Sequence, residues 1–188
     1  MLIIAFGETI LISGIQLSPY GFQWARTAAL IVGFVITVLL WQIYFYRAGE
    51  LLPEAIASSR APAHVGELAS YSHLIMIAGT GLSAVGDKLT ITSPFGSTNP
   101  AWVLVILGGP ALFLVGRAML DYAAFSRVSW SRPIGLLFLA ALAPLALRLP
   151  PIMVTVVAAL VLAGIAVSNV LAWRFFPRVP TPPPGQPS

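Results

Sequence analysis

Four ionisable side chains lie in or beside long apolar stretches of this chain, and they have the clearest capacity for chemistry. Glu8 lies midway along one apolar run, and His73 lies near the start of another. Asp87 lies near the end of the same run as His73, and Arg117 lies near the end of a third run. In hydrocarbon such groups are costly, so they pair, bind protons or ions, or face a cavity. The pattern predicts a polar path for a proton or another small ion.

Glu8 and His73 each permit two interpretations. A carboxyl group at the depth of Glu8 can bind a proton or a cation. Alternatively, a neutral Glu8 hydrogen-bonds a neighbouring helix and only stabilises packing. His73 is either a proton relay, because imidazole exchanges protons at physiological pH, or an interfacial side chain that contacts headgroups or the loop.

Asp87 and Arg117 also have a plainer explanation. His73 and Asp87 are fourteen residues apart, which puts them on one face of a helix but about 21 Å from each other. They can mark two ends of one route, with Thr80 on nearly the same side. Asp87 can instead end the helix at the membrane surface, where Lys88 neutralises it. Arg117 lies four residues before an aspartate, which predicts a local ion pair.

Glycines interrupt two of the apolar runs. Gly79 and Gly86 lie between His73 and Asp87, and Gly109 lies in the middle of the next run. Small residues let the backbones of membrane helices approach closely. We therefore expect these three glycines to mark helix packing.

The composition requires apolar surroundings for most side chains. Of the 188 residues, 58% are hydrophobic and 9% are charged, whereas a soluble domain carries about a quarter charged residues. We therefore expect most of the surface to contact lipid, so the lipid bilayer is an expected partner of the chain. The chain contains no cysteine, so disulfides and thiolate metal sites are excluded. The scattered basic residues form no stripe that would bind nucleic acid.

Six apolar runs approach the length that crosses a bilayer, about 20 residues. The expected fold is all-α, a polytopic bundle of about six transmembrane spans over residues 1–175. The proline-rich tail, 176–188, is expected to be disordered. Residues 47–67 are more polar and predict a cytoplasmic loop or a short interfacial helix. The runs are Leu2–Leu17, Arg26–Tyr46, Leu68–Leu89, Ala101–Leu120, Pro133–Leu147 and Ile152–Trp173, of which the first and fifth are short.

The basic residues predict how the bundle inserts. Connections after the first, third and fifth runs contain three basic residues, and the opposite side contains seven. Because basic segments stay in the cytoplasm, both termini are expected there. All five tryptophans lie at predicted span ends, where an indole keeps its N–H hydrated. The larger group is Arg47, Arg60, Arg117, Arg127, Arg132, Arg174 and Arg178, and the smaller is Arg26, Lys88 and Arg148.

Four motifs give the chain a family resemblance. They are FGETI in the first run, WQIYF at Trp41–Phe45, YSHLIMIAGTGLSAVGDKL at Tyr71–Leu89 and LGGPALFLVG at Leu107–Gly116. Their types and order resemble the bacterial low temperature requirement A family. The resemblance implies a multi-span protein of the bacterial plasma membrane. Members are roughly twice as long, and the chain is similar to their C-terminal half.

The resemblance assigns no catalytic role to the positions that it matches, among them Glu8, His73, Gly79 and Gly86. The leading hypothesis is a transporter or ion-conducting protein that moves a small ion or metabolite along Glu8, His73 and Asp87. The alternative is a structural or signalling subunit whose function lies in a partner half or in a homo-oligomer. A lipid-modifying membrane enzyme is the weakest hypothesis, because no nucleophile–base pair or metal-ligand spacing is visible. No catalytic residue, metal or cofactor is expected.

Overall fold

A computed structural model of the chain describes residues 2–17, 23–57, 62–125 and 128–175. Within these ranges the regular structure is six α-helices, which confirms the predicted all-α class. The predicted disordered tail, 176–188, lies outside the described residues. The helices are α1 (Leu2–Leu17), α2 (Trp24–Ala57), α3 (Pro62–Thr92), α4 (Pro100–Phe125), α5 (Ser131–Ala146) and α6 (Pro151–Phe175).

Four of these helices are long and apolar enough to cross a membrane. Their candidate spans are Trp24–Phe45, Ala63–Thr92, Pro100–Ala123 and Pro151–Leu171. The apolar part of α1 and the whole of α5 are shorter, as their sequence runs predict. The helices therefore form the bundle of a polytopic membrane protein.

The helix α2 extends well beyond the apolar run that predicts it. The run ends at Tyr46, but the helix continues to Ala57, and α3 already begins at Pro62. The segment 47–67 is therefore largely a continuation of α2 and the first turns of α3. Glutamate, leucine and alanine are frequent in 50–57, and all three are strong helix formers. Proline suits the first turn of a helix, where its missing N–H has no partner to lose.

The helices α3 and α4 share the most extensive interface in the bundle. A methyl group on Gly79 would lie 2.5 Å from the backbone nitrogen of Phe113. One on Gly109 would lie 2.6 Å from the backbone nitrogen of Ser83. At both places the two backbones touch directly, which is how membrane helices pack tightly in the absence of a hydrophobic driving force.

Further contacts along the same interface fix the relative direction of the two helices. A methyl group on Gly86 would lie 3.2 Å from the Cα of Ile106, and one on Gly116 would lie 2.8 Å from the Cγ of Met76. Because residue numbers rise along α3 as they fall along α4, the two helices are antiparallel. Gly81 differs from these glycines, since no atom lies within 4 Å of its methyl position.

Hydrogen bonds between two connections define one end of the bundle. The Thr98 hydroxyl donates to the carbonyl oxygen of Leu149 at 2.6 Å, and the Ile152 N–H donates to the carbonyl oxygen of Pro94 at 3.1 Å. The α3–α4 and α5–α6 connections therefore lie together. We call this the Asp87 end, because that residue lies near the end of α3. The opposite end, named the Asp121 end, holds the last turns of α4 and α6.

Candidate functional site

A row of buried polar side chains runs along α3. Each hydroxyl in the row donates to the carbonyl oxygen four residues earlier, at distances from 2.7 to 3.0 Å. A hydroxyl that donates within its own helix keeps its lone pairs free to accept. The row therefore presents acceptor oxygens to neighbouring helices. Its members are Ser72, Thr80, Ser83, Asp87 and Thr90.

Asp87 is the charged member of this row, and it lies inside the protein. Asp87 is only 3% exposed. A methyl group on Gly33 of α2 would lie 2.7 Å from the carboxyl carbon of Asp87. The absence of a side chain on Gly33 makes room for the carboxyl group. Within the described chain, Oδ2 of Asp87 has no hydrogen-bond partner. A buried acceptor without a donor is costly, so Asp87 is a candidate for binding a proton or a cation.

Lys88 does not supply the missing partner. Its side chain is exposed, and the described ion pairs do not include one with Asp87. Adjacent residues on a helix point in directions about 100° apart. The alternative in which Lys88 neutralises Asp87 at the membrane surface therefore does not match the observed burial of the carboxyl group.

Beside Asp87, a pair of threonines links α3 to α6. The hydroxyl oxygens of Thr90 and Thr155 lie 2.9 Å apart, and both residues are buried. The Thr155 oxygen also lies 2.9 Å from the carbonyl oxygen of Pro151, and its single proton serves one of these two contacts. The contact between the two threonines holds the N-terminal part of α6 against the Asp87 end of α3.

His73 lies nearer the other end of α3 and pairs with α2. Its Nδ1 lies 2.7 Å from the carbonyl oxygen of Ala69, and a carbonyl oxygen can only accept, so Nδ1 carries a proton. In the neutral ring Nε2 then accepts, and the Tyr44 hydroxyl donates to it at 2.8 Å. The two rings meet edge to face at a centroid distance of 5.7 Å. Both bonds fix the orientation of the imidazole.

The hydroxyl of Tyr44 should make a measurable contribution to stability. Replacing Tyr44 with phenylalanine removes the donor and leaves Nε2 of His73 without its partner. We expect a loss of about 1 kcal/mol in the free energy of unfolding, measured by denaturant titration in mixed micelles. Tyr71→Phe is the matched control, because Tyr71 is an exposed tyrosine of α3. Equal effects of both substitutions would contradict a specific Tyr44–His73 bond.

At the Asp121 end, two arginines converge on one aspartate. Arg117 pairs with Asp121 through its guanidinium group, and its Nε donates to the carbonyl oxygen of Ile43 at 3.3 Å. Nε of Arg132 lies 3.5 Å from the second carboxyl oxygen of Asp121. All three charged residues are buried. We call this group, together with Asn169, the Asp121 network.

Asn169 connects the Asp121 network to α6. A terminal nitrogen of Arg132 donates to Oδ1 of Asn169 at 2.7 Å and to the hydroxyl of Ser131 at 2.7 Å. The Asn169 amide nitrogen has no hydrogen-bond partner in the described ranges. The spacing of four residues predicted the Arg117–Asp121 pair. Arg132 was used only as one of the basic residues that predict which side of the bundle is cytoplasmic. A basic residue that begins an apolar run is the signal that could have indicated burial.

Glu8 lies apart from both groups. Contrary to the expectation that it faces the interior, its side chain is exposed on α1. The opposite side of α1 buries Leu2, Phe6 and Thr9, and the ring of Phe6 lies 6.1 Å from that of Phe113. Two residues after Phe6 the helix has turned by about 200°, so Glu8 must face outward.

The predicted site residues therefore fall into three places. Thr80 and Asp87 share the row on α3, His73 and Arg117 belong to the other half of the bundle, and Glu8 lies on the outer surface. Across the described ranges, no three His, Asp or Glu side chains cluster as metal ligands would.

The apolar helices and the buried polar groups between them define a polytopic integral membrane protein. The chain belongs to the family of the bacterial low temperature requirement A protein (LtrA), whose profile matches residues 1–167. It is 31% identical over 144 residues to an uncharacterized protein of Rhizobium meliloti (strain 1021), a match that covers 74% of this chain and 34% of that protein. The chain thus spans about a third of the length of this relative. No solved structure matches the chain.

Proposed function

We propose that this LtrA protein moves protons or small cations across the bacterial plasma membrane, with Asp87 as the group that binds them. The observation that carries the proposal is the buried carboxyl group with its unpartnered Oδ2. Ionisable groups inside a membrane protein are expensive, and they mark ion pathways and proton relays. A carboxyl group can hold a proton directly or supply an oxygen ligand to a cation.

The row on α3 supports this role because it supplies acceptors on either side of the carboxyl group. Ser83 and Thr90 lie one turn before and after Asp87, and both hydroxyls donate to their own helix. The free lone pairs of the Ser83 hydroxyl suit a proton donor or a cation, whereas the Thr90 hydroxyl also contacts that of Thr155. Thr80 extends the row by a further turn towards His73, which is about 21 Å from Asp87 along the helix axis.

The charges at the two ends favour one orientation for such movement. The sequence predicts seven basic residues on the side of the Asp121 end and three on the side of the Asp87 end. By the positive-inside rule the Asp121 end is cytoplasmic. Asp87 would then bind its cargo near the outer leaflet, and His73 would lie on the cytoplasmic side of the row.

Removing the charge of Asp87 should abolish this movement. The substitution Asp87→Asn keeps the shape of the side chain but takes away the group that exchanges a proton or binds a cation. We expect the flux of protons or sodium ions into liposomes that contain the purified chain to fall to the level of empty liposomes. The measurement uses a pH-sensitive dye and radioactive sodium in parallel.

A matched acid on the same helix controls for the loss of one negative charge. Glu67 is exposed near the start of α3, so Glu67→Gln should leave the flux unchanged. Flux that persists in Asp87→Asn, with the variant folded and inserted, would contradict the proposal.

A structural subunit is the second candidate, and the interface between α3 and α4 favours it. Direct backbone contact at Gly79 and Gly109 suits a rigid scaffold, and hydroxyls that donate within their own helix need no ligand. This candidate expects no flux from the wild-type chain in either assay. It also expects that Asp87→Asn changes stability alone, which a thermal unfolding curve would show.

A further inference from the structure

The Asp121 network carries more positive than negative charge. Arg117 and Arg132 supply two guanidinium groups, and Asp121 supplies the carboxylate that both of them contact. Arg117 is 4% exposed and Arg132 is 3% exposed, and neither has an ion pair with a second acid among the described residues. A buried charge is costly unless it is paired. The network therefore favours the approach of a further negative charge.

Two donors of the network have no hydrogen-bond partner within the described chain. They are Nε of Arg132 and Nδ2 of Asn169, and both atoms are buried. Nε lies 3.5 Å from a carboxyl oxygen of Asp121, which is an ion pair but not a hydrogen bond. The amide orientation of Asn169 follows from its neighbours, because Arg132 donates to Oδ1 and a guanidinium group can only donate. Since both unused groups are donors, the missing partner is an acceptor.

The start of α5 makes this place more positive. Ser131 and Arg132 are the first residues of α5, and the N-terminus of a helix carries a partial positive charge. Trp130 at the N-cap makes no side-chain hydrogen bond that would cap this end. The Arg132 N–H already donates to the carbonyl oxygen of Ser129 at 3.0 Å, and Pro133 has no N–H. The helix therefore contributes its field, and the side chains contribute the free donors.

Serine hydroxyls connect the network to the surface of the bundle. Oγ of Ser131 lies 2.7 Å from a terminal nitrogen of Arg132 and 3.1 Å from Oγ of Ser129, and Ser129 is exposed. Trp130, between the two serines, is 82% exposed. An exposed indole at a span end is typical of the headgroup level of a membrane. The network is therefore nearest to solvent at headgroup level, on the side that the basic residues predict to be cytoplasmic.

From these observations we propose that the Asp121 network binds a phosphate group at the headgroup level of the membrane. An ionised phosphate diester offers acceptor oxygens alone and supplies the negative charge that the network lacks. Arginine binds phosphate through its planar fork of donors, and basic pockets between membrane helices bind lipid headgroups. An anionic phospholipid and inorganic phosphate share this chemistry, and the experiment distinguishes them. The site is independent of the role assigned to Asp87.

The melting temperature of the purified chain can report this binding, because a ligand that binds only the folded state raises it. The chain in uncharged dodecyl maltoside micelles is titrated with dioctanoyl phosphatidylglycerol in one arm and with sodium phosphate at constant ionic strength in the other. Dioctanoyl phosphatidylcholine controls for the acyl chains, since its choline offsets the phosphate charge. A saturable rise with phosphatidylglycerol alone assigns a lipid headgroup, and a rise with sodium phosphate assigns a site open to the free ion.

Two variants of the network should lose this binding. Asn169→Asp keeps an oxygen for Arg132 but replaces the unused donor with a carboxylate oxygen, which gives the network an anion of its own. We expect the apparent Kd of the probe to rise about ten- to hundredfold, whereas the melting temperature without the probe should not fall. Arg132→Gln removes one charge and Nε, and we expect the same rise in Kd. Arg148→Gln is the matched control, because Arg148 is exposed at the Asp87 end and its loss should leave the Kd unchanged.

Two results would overturn the proposed phosphate site. One is a wild-type melting temperature that neither probe raises more than phosphatidylcholine does. The other is an unchanged Kd in whichever of Asn169→Asp and Arg132→Gln remains folded, as circular dichroism reports. No ion flux enters these measurements, so their failure and the failure of the role assigned to Asp87 are separate outcomes.

Discussion

Replacing Asp121 with alanine should lower the free energy of unfolding by about 3–5 kcal/mol. Arg117 and Arg132 both rely on this carboxylate, and both are buried. Without it, two positive charges lie near each other in a region of low dielectric, and neither arginine has an ion pair with another acid among the described residues. The loss comes mainly from these uncompensated charges, because the removed side chain itself is small.

Reversible unfolding in mixed detergent micelles measures this loss, and two variants control it. Asp121→Asn keeps an acceptor for the guanidinium groups but removes the charge, so its loss should be smaller than that of alanine. Glu67→Gln removes an exposed acid of α3 and should leave the stability unchanged. A wild-type stability for Asp121→Ala would mean that the arginines reach another acid.

The six helices could be predicted from the sequence because each depends on a local property. A run of apolar residues near the thickness of a bilayer has to satisfy its backbone within itself, and a helix does so. The end of α2 could not be predicted in this way. Residues after Tyr46 are too polar to count as membrane span, but most of them are good helix formers, and the helix continues to Ala57 in spite of Gly49 and Pro53.

The orientation of Glu8 could not be predicted, because α1 is apolar on nearly every side. When the apolar residues do not form one stripe, the sequence does not show which face turns to the bundle. Contact between Phe6 and Phe113 settles the rotation of α1, and the two residues are far apart in the sequence. Once Phe6 is buried, Glu8 faces outward.

The Asp121 network could be predicted only in part, because one of its contacts lies within a single helix and the others join residues far apart in the sequence. The Arg117–Asp121 pair follows from a spacing of four residues within one helix. Asn169 lies 37 residues after Arg132, and no local pattern indicates that they meet. The burial of Asp87 was harder to predict, because its position near the end of an apolar run is also typical of a residue at the membrane surface. Gly33 of α2, which is distant in the sequence, provides an internal place for its carboxyl group.

The glycines of α3 should differ in their tolerance of alanine according to how near the neighbouring helix lies. Gly79→Ala places a methyl group 2.5 Å from the backbone nitrogen of Phe113. The backbone of α4 cannot yield as a flexible side chain can, so α3 and α4 must separate along their interface. We expect a loss of about 1–3 kcal/mol in the free energy of unfolding, measured in the same micelles.

Two further glycines of α3 make this prediction a graded one. Gly86→Ala should cost less than Gly79→Ala, because its methyl group would lie 3.2 Å from the Cα of Ile106 and a small shift relieves the contact. Gly81→Ala meets no atom within 4 Å, and alanine favours the helix, so stability should be kept or raised. Equal losses at Gly79 and Gly81 would mean that the substitutions act through backbone flexibility, and direct contact between α3 and α4 would no longer explain the stability of the bundle.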